Sequence, residues 1–278
     1  MSDFTAVQKK AREIVVGGLA LLGAAAPARP SSAEDAAGGW QFRATAYAYL
    51  PDTSGTTSFP GATDISVAAK DIVDHTDSAL MSAFEARKGR VGAFADVIAI
   101  DLSNAVTGLT RLKLGGGVAL PPGVTADTSL ALDMRAATFA AELRAYERPH
   151  ASVDVLAGAR LLDVDGTLGY AFSADFGPFV GPARDGARAA SLHNWDAVVG
   201  AKGAVELGAE RRWRVLSYAD VGGGDSARTW QGLIAAGRKI GRFEVDGGWR
   251  RVEYRFRSDS RMDSLDFDGP IVGASFAW

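Results

Sequence analysis

The sequence predicts an all-β protein, an up-and-down antiparallel transmembrane β-barrel of about ten strands, with eight to twelve compatible with the pattern. Three observations predict this class. Apolar and polar residues alternate over segments of about ten residues or more. Tight and loose connections alternate along the chain. No apolar run reaches the roughly 18 residues that a membrane-spanning helix requires.

The first 33 residues have the pattern of a secretory signal peptide, and residues 34–278 form the predicted barrel domain. Three basic residues precede an apolar stretch at residues 14–26, and two prolines follow it. We therefore expect residues 1–33 to be removed on export. The alternative is a short amphipathic or buried N-terminal helix, because Asp3 and Glu13 are unusual in a signal peptide.

The composition excludes several functional classes. Lys and Arg together number 30 against 33 Asp and Glu, for a formal charge of −3, so the chain lacks the basic excess of a nucleic-acid-binding domain. The absence of cysteine excludes disulfide scaffolds, thiolate metal sites and cysteine nucleophiles.

The first strand is predicted at residues 40–50, where one face is apolar from Trp40 to Leu50 and the other carries polar and tyrosine side chains, including Arg43. The same alternation predicts nine further strands. They lie at residues 79–87, 90–102, 127–146, 152–172, 195–208, 213–222, 227–238, 242–255 and 267–278.

The connections between these strands fall into two groups that alternate along the chain. The tight connections are residues 88–89, 147–151, 209–212 and 239–241. The other group is generally longer and comprises residues 51–78, 103–126, 173–194, 223–226 and 256–266. In an up-and-down barrel the two groups lie at opposite ends, and short turns at the end that carries both termini are typical of an outer-membrane barrel.

Two segments leave the strand assignment open. In residues 127–146 the polar positions change parity between Asp133 and Glu142, which predicts a β-bulge or a misplaced boundary. Residues 63–73 alternate in part and could add a strand or extend a neighbour. An extra pair would make twelve strands and a wider lumen.

A membrane barrel directs its apolar face to lipid and its polar face to the lumen, the reverse of a soluble protein. Aromatic residues at strand ends predict a girdle at one bilayer interface, formed by Trp40, Tyr146, Trp195, Trp213 and Trp278. The charged face then predicts a luminal network of both signs, made of Arg43, Glu85, Arg87, Asp96, Glu142, Arg144, Asp154, Arg160, Asp196, Lys202, Glu206, Asp220, Arg238, Glu244, Asp246 and Arg250.

Opposite charges in a confined interior pair with one another, because an unpaired buried ion costs several kcal/mol. Barrels of about eight strands leave an interior just wide enough for side chains, whereas open porins use about sixteen to eighteen. A ten-stranded barrel is therefore expected to have a plugged lumen or a very narrow conduit for small solutes.

The C-terminal residues resemble a known family. The ending alternates apolar residues up to a terminal aromatic, and the segments at residues 84–90 and 220–224 add to the likeness. In these features the chain resembles the small porin-like outer-membrane β-barrels of Gram-negative bacteria. The resemblance implies an outer-membrane location and an assembly signal, read by the barrel-assembly machinery, at Val272, Ala274, Phe276 and Trp278.

The sequence contains no catalytic or metal-binding motif, so no enzymatic activity, metal or cofactor is expected. The expected partners are outer-membrane lipids and lipopolysaccharide, with no nucleic acid and a monomeric state. Two alternatives remain. One is a surface hydrolase that uses His75 or His193 in outer loops. The other is a soluble periplasmic barrel that binds a lipophilic ligand.

Overall fold

The computed structural model describes residues 39–57, 63–67, 69–70, 72, 76–105, 124–174, 184–258, 260 and 262–278. The predicted signal peptide lies outside these residues. The described chain is almost entirely β-strand, with bounds β1 (Trp40–Tyr49), β2 (Asp52–Thr57), β3 (Thr63–Val67), β4 (Thr76–Lys88), β5 (Val91–Ala105), β6 (Val124–Arg148), β7 (Ala151–Ala174), β8 (Arg184–Leu207), β9 (Trp213–Gly224), β10 (Ser226–Ile240), β11 (Phe243–Phe256) and β12 (Met262–Ala277).

Ten of these strands form a closed antiparallel barrel, which confirms the predicted strand number and topology. From β4 to β12 each strand pairs with the next one along the chain, and β1 pairs with both β4 and β12 to close the ring. The strands β2 and β3 form a separate hairpin in which β2 continues alongside β12 beyond the end of β1. The strand at residues 63–67 therefore does not widen the barrel to twelve strands.

The tight turns lie at one end of the barrel, as predicted, and this inner end also carries the termini of the barrel. Gly89, Gly208 and Gly241 adopt φ values of 59°, 84° and 66° there, a left-handed conformation that glycine adopts without steric cost. The backbone N–H of Phe42 donates to the carbonyl oxygen of Trp278 at 2.9 Å. We call the opposite end the outer end.

Most barrel strands are longer than the sequence pattern predicts, and three of them are far longer than the rest. The strands β6, β7 and β8 have 25, 24 and 24 residues, and β8 begins at Arg184 instead of at residue 195. The predicted loop at residues 173–194 is therefore largely strand. Its alternation is weak because the outward face of this segment is no longer apolar, with Ser191 and His193 exposed there.

The change of parity in β6 has the same cause. Pairing with β7 runs without a shift from Val124 to Arg144, and the one bulge follows between Arg144 and Tyr146. Arg135 faces outward and is exposed, whereas Glu142 faces the lumen and is buried. A bulge between these positions was therefore the wrong interpretation, because the strand remains regular while its outer face leaves the apolar region.

The outer face of the barrel is apolar and exposed. Its large exposed side chains include Val199, Val221, Ile234 and Val245, while charged side chains such as Arg160 are buried inside. This inverted arrangement suits a surface that faces lipid, and it defines a transmembrane β-barrel. No helix in the described part of the chain is long and apolar enough to cross a membrane.

The predicted aromatic girdle is wrong in one member. Trp40, Tyr146, Trp213 and Trp278 lie at the inner end, beside the tight turns and the termini. Trp195 lies at the outer end, where its backbone N–H donates to the carboxylate of Asp225 at 2.9 Å. The reason is the up-and-down topology: residue 195 follows a loose connection, whereas the other four residues lie beside tight turns or the barrel termini.

Replacing Val199 by Arg tests whether this face contacts lipid. The side chain is 58% exposed, so in water the change would alter the free energy of unfolding by less than about 0.5 kcal/mol. If the side chain faces lipid, the substitution should lower the free energy of unfolding by about 2–4 kcal/mol. The measurement is urea unfolding of the barrel in phospholipid vesicles. The control is Ala189→Arg, on the same face of β8 near its outer end, and equal small effects of both changes would contradict a lipid-facing surface.

Candidate functional site

The candidate site is the charged lumen, which contains every predicted luminal residue except Arg238. Its side chains form clusters that connect strands across the barrel. Nearest the inner end, the Glu244 carboxylate accepts from Arg43 at 2.9 Å and from Arg214 at 3.3 Å. Lys239 donates to Glu206 in the same region. Each carboxylate is thus neutralised from a strand other than its own.

A second cluster is organised around Arg87, whose side chain is only 6% exposed. Its Nη2 atom lies 2.9 Å from Glu142, 2.8 Å from Asp154 and 3.3 Å from Glu85. The Nζ atom of Lys202 lies 2.8 Å from Glu85 and 2.6 Å from Glu142. These cations bind carboxylates from β4, β6 and β7 together.

The three carboxylates of this cluster are Glu85, Glu142 and Asp154, and their oxygens lie within 4.8 Å of one another, close enough to bind a metal ion. The cations Arg87 and Lys202 already bind these oxygens. Arg144 adds a hydrogen bond from Nε to Asp154 at 2.5 Å. The cluster is therefore a salt-bridge network in which protein cations hold the positions that a metal would need.

A third cluster surrounds Arg160, which is 2% exposed. Its guanidinium donates to Asp220, and to Gln231 at 3.1 Å. It also donates to the hydroxyl groups of Thr138 and Thr229, each at 3.2 Å. One arginine of β7 therefore binds residues of β6, β9 and β10, which requires its side chain to cross the lumen.

Arg250 forms the fourth cluster and is connected to the third. Its Nη2 atom lies 2.7 Å from Asp96 and 3.1 Å from Gln231, so Gln231 accepts from both Arg250 and Arg160. Its Nη1 atom donates to the hydroxyl of Tyr47 at 3.1 Å, and that hydroxyl donates to Asp96. Seven strands of the barrel meet in these two clusters.

The remaining predicted residues occupy separate positions. Asp196 is buried and accepts from Asn194 at 2.8 Å and from the backbone N–H of Ser226 at 2.9 Å. It therefore stabilises the connection between β9 and β10 and pairs with no cation among the described residues. Asp246 lies on the luminal face of β11, four residues before Arg250, and is half-buried.

Above the charged clusters the lumen becomes apolar. Along three strands the next luminal residue toward the outer end is Ile98 after Asp96, Leu162 after Arg160 and Val252 after Arg250. Tyrosine and phenylalanine side chains complete this buried cluster: Tyr49, Tyr254, Phe256 and Phe267. A cavity of about 30 Å³ lies where the apolar and charged regions meet, large enough for only one or two water molecules.

Arg238 was wrongly placed in the lumen. It faces outward and is exposed, with its guanidinium 5.8 Å from the centre of the Trp213 ring. The neighbouring Lys239 faces inward and pairs with Glu206. Two adjacent cations fit either parity, so the sequence alone could not decide which one enters the lumen.

The structure also shows luminal residues that the sequence analysis did not select. They share the inward parity of their strands, and most are uncharged: Tyr47, Thr138, Arg214, Tyr218, Thr229, Gln231 and Lys239. Selection by charge missed the uncharged ones, and Arg214 and Lys239 were not selected although they are charged. Selection of the whole polar face would have found Tyr47, which alternates with the apolar residues of β1.

The residues considered for catalysis do not form a buried site. His193 lies on the outer face of β8, where its Nδ1 atom is 3.5 Å from Asp163 and its Nε2 accepts from Trp195 at 3.2 Å. Its side chain is 63% exposed. His75 lies outside the described residues.

No family model matches the chain, and no curated protein sequence matches it. Similar solved structures include the outer membrane protease OmpT of Escherichia coli, at 11% identity over 86% of this chain and 97% of that one, with a TM-score of 0.49. The attachment invasion locus protein Ail of Yersinia pestis is 10% identical over 87% of this chain and 99% of that one, with a TM-score of 0.30. The toluene transporter TodX of P. putida is 10% identical over 86% of this chain and 89% of that one, also with a TM-score of 0.30.

Replacing Arg87 by Ala should destabilise the barrel strongly, because Glu142 and Asp154 would remain buried without this cation. The expected loss in the free energy of unfolding is about 3–5 kcal/mol. Arg238→Ala is the matched control, an exposed arginine outside the lumen, and should cost less than about 1 kcal/mol. Equal effects of the two changes in urea unfolding would contradict the luminal network.

Proposed function

We propose that this protein is an integral outer-membrane β-barrel protein whose lumen is closed to ions and hydrophilic solutes, and that its role is structural, at the cell surface. The observation that carries this proposal is the pairing of luminal arginines with acceptors on other strands. Arg160 and Arg250 each contact residues on three other strands.

Closure follows from the size and the content of the lumen. Roughly eight strands leave room for side chains alone, and ten add little. Here the width is filled by two arginines that share Gln231, with an apolar cluster directly above them. An ion passing this point would have to displace paired charges and then enter an apolar region, and both steps are costly.

The exterior supports a membrane location over the soluble periplasmic alternative. A soluble barrel would expose its charged face, whereas this barrel buries Arg160 and exposes Val199 and Ile234. In this proposal residues 1–33 direct export, and the inner end with its tight turns faces the periplasm. The monomeric barrel then contacts outer-membrane lipids and lipopolysaccharide over its apolar face.

Assembly at the C-terminus is part of the same proposal. Val272, Ala274, Phe276 and Trp278 share one parity at the end of the chain, with Val272 and Trp278 exposed on the outer face. The rings of Phe276 and Trp278 stack with centres 5.5 Å apart. An exposed aromatic ending of this kind suits recognition by the barrel-assembly machinery.

A conductance measurement tests the proposed function. The full 278-residue chain is expressed in a Gram-negative host, and the barrel is purified from the outer-membrane fraction and inserted into a planar bilayer. The wild-type barrel should be silent. A double variant, Arg160→Ala with Arg250→Ala, should give ion-conducting steps if it retains the folding-dependent shift in gel mobility, because both side chains that cross the lumen are shortened.

Two results would contradict the proposal. Recovery of the chain in the soluble periplasmic fraction would remove the membrane location. Steady, ion-selective steps from the wild-type barrel would replace the closed lumen with a channel for small solutes.

A further inference from the structure

Three arginines form a patch on the outer face of β10 and β11, near the outer end of the barrel. Arg228, Arg251 and Arg255 surround the carboxylate of Glu253, and we call these three the arginine patch. Their side chains are 65%, 46% and 48% exposed, whereas that of Glu253 is 8% exposed. The shared carboxylate therefore lies beneath the guanidinium groups, which face away from the barrel.

Among the residues that the structure describes, the ion pairs of the patch leave guanidinium donors available. The Nε atom of Arg255 donates to Glu253 at 2.7 Å, and the indole N–H of Trp230 donates to the same carboxylate at 3.0 Å. Arg228 and Arg251 lie farther away, at 3.5 and 3.8 Å, beyond good hydrogen-bond distance. Arg251 also lies 3.5 Å from Asp266. Each guanidinium group has five N–H donors, which is more than these contacts use.

The patch lies at the boundary of the apolar surface. Outward residues of β11 run from Phe243 and Val245 through Trp249 to Arg251 and then Arg255. Tryptophan is enriched at membrane–water interfaces, so Trp249 marks the level at which the strand leaves the hydrocarbon. Arg251, two residues farther along and 5.8 Å from the Trp230 ring centre, is then at the level of lipid headgroups.

Among the described residues, the opposite side of the barrel has fewer outward arginines at its outer end. There the outward residues of β5, β6 and β7 include Asp101, Asp133, Asp163 and Asp165. Arg135 is the cation nearest them in the described part of these strands, and it pairs with Asp133 at 3.2 Å. The β10–β11 side also has outward carboxylates, Asp266 and Asp268 of β12, so it is distinguished by its three outward guanidinium groups and not by a lack of acidic residues.

We infer that the arginine patch binds the phosphate groups of an outer-leaflet glycolipid of the lipid A type, an inference that rests on the proposed outer-membrane location. Guanidinium groups bind phosphate oxygens in a bidentate geometry. An anion at this level can keep its acyl chains against the adjoining apolar face. A lipid is favoured over a free anion because the patch borders a lipid-facing surface instead of a pocket.

Lipid retention tests this assignment. The folded barrel, in nanodiscs of phosphatidylcholine, is titrated with bis-phosphorylated lipid A, and the bound lipid is counted by native mass spectrometry. The double variant Arg251→Ala with Arg255→Ala should bind lipid A about 10- to 30-fold more weakly. Arg135→Ala, the matched exposed arginine on the other side, should bind within about twofold of the wild type.

Each further outcome decides the assignment. Lipid A without its phosphates should bind the wild type as weakly as it binds the double variant, and equal binding of both lipids by the wild type would overturn the inference. Displacement of lipid A by equimolar inorganic phosphate would assign the patch to a small free anion instead. Failure of the barrel to enter nanodiscs would remove the proposed membrane location, whereas insertion without selective retention would remove this inference alone.

Discussion

The constraint on which the rest of this structure depends is that a charge inside a narrow barrel must be paired within the barrel. Arg160 and Arg250 are almost fully removed from solvent, and their partners come from other strands. Desolvation of each ion costs several kcal/mol, which only close opposite charges and hydrogen bonds offset. The pairs therefore connect strands that are distant in sequence and fill the space that an open pore would need.

The two ends of the lumen differ in polarity. Charged clusters occupy the inner and middle parts, and the change to apolar residues occurs at one step on β5, β7 and β11. The exterior has the reverse order, since its apolar surface gives way to charge near the outer end, at Arg135 on one side and Arg251 on the other. On β5, β7 and β11 the luminal face thus changes from charged to apolar toward the outer end, while the outer face changes from apolar to charged.

The alternating sequence predicts the strands, the tight turns and most luminal charges because burial inside a barrel imposes a strict period of two. The prediction fails where burial no longer imposes this period. Strand β8 continues outward from residue 195 to Arg184 through a segment whose outward face carries Ser191 and His193 in place of large apolar residues, so apolar alternation does not reveal it. Arg238 and Lys239 are adjacent, and the choice between them depends on the register of β10 with β9 and β11.

The arginine patch was beyond prediction for a related reason. Arg228 and Arg251 are 23 residues apart and meet only because β10 and β11 pair in a register that brings both to Glu253. The shared acceptor Gln231 was missed because it is uncharged, although it connects Arg160 with Arg250. Pairwise geometry across strands, and not residue type, identifies these positions.

A double-mutant cycle between Arg160 and Asp220 tests the central claim most directly. Arg160→Met, Asp220→Leu and the double variant are compared with the wild type by reversible urea unfolding in phospholipid vesicles. If cross-lumen pairing holds the barrel together, each single change leaves a buried ion and the double change costs less than the sum. We predict a coupling of about 2 kcal/mol or more. Additive effects, within about 0.5 kcal/mol, would contradict the claim.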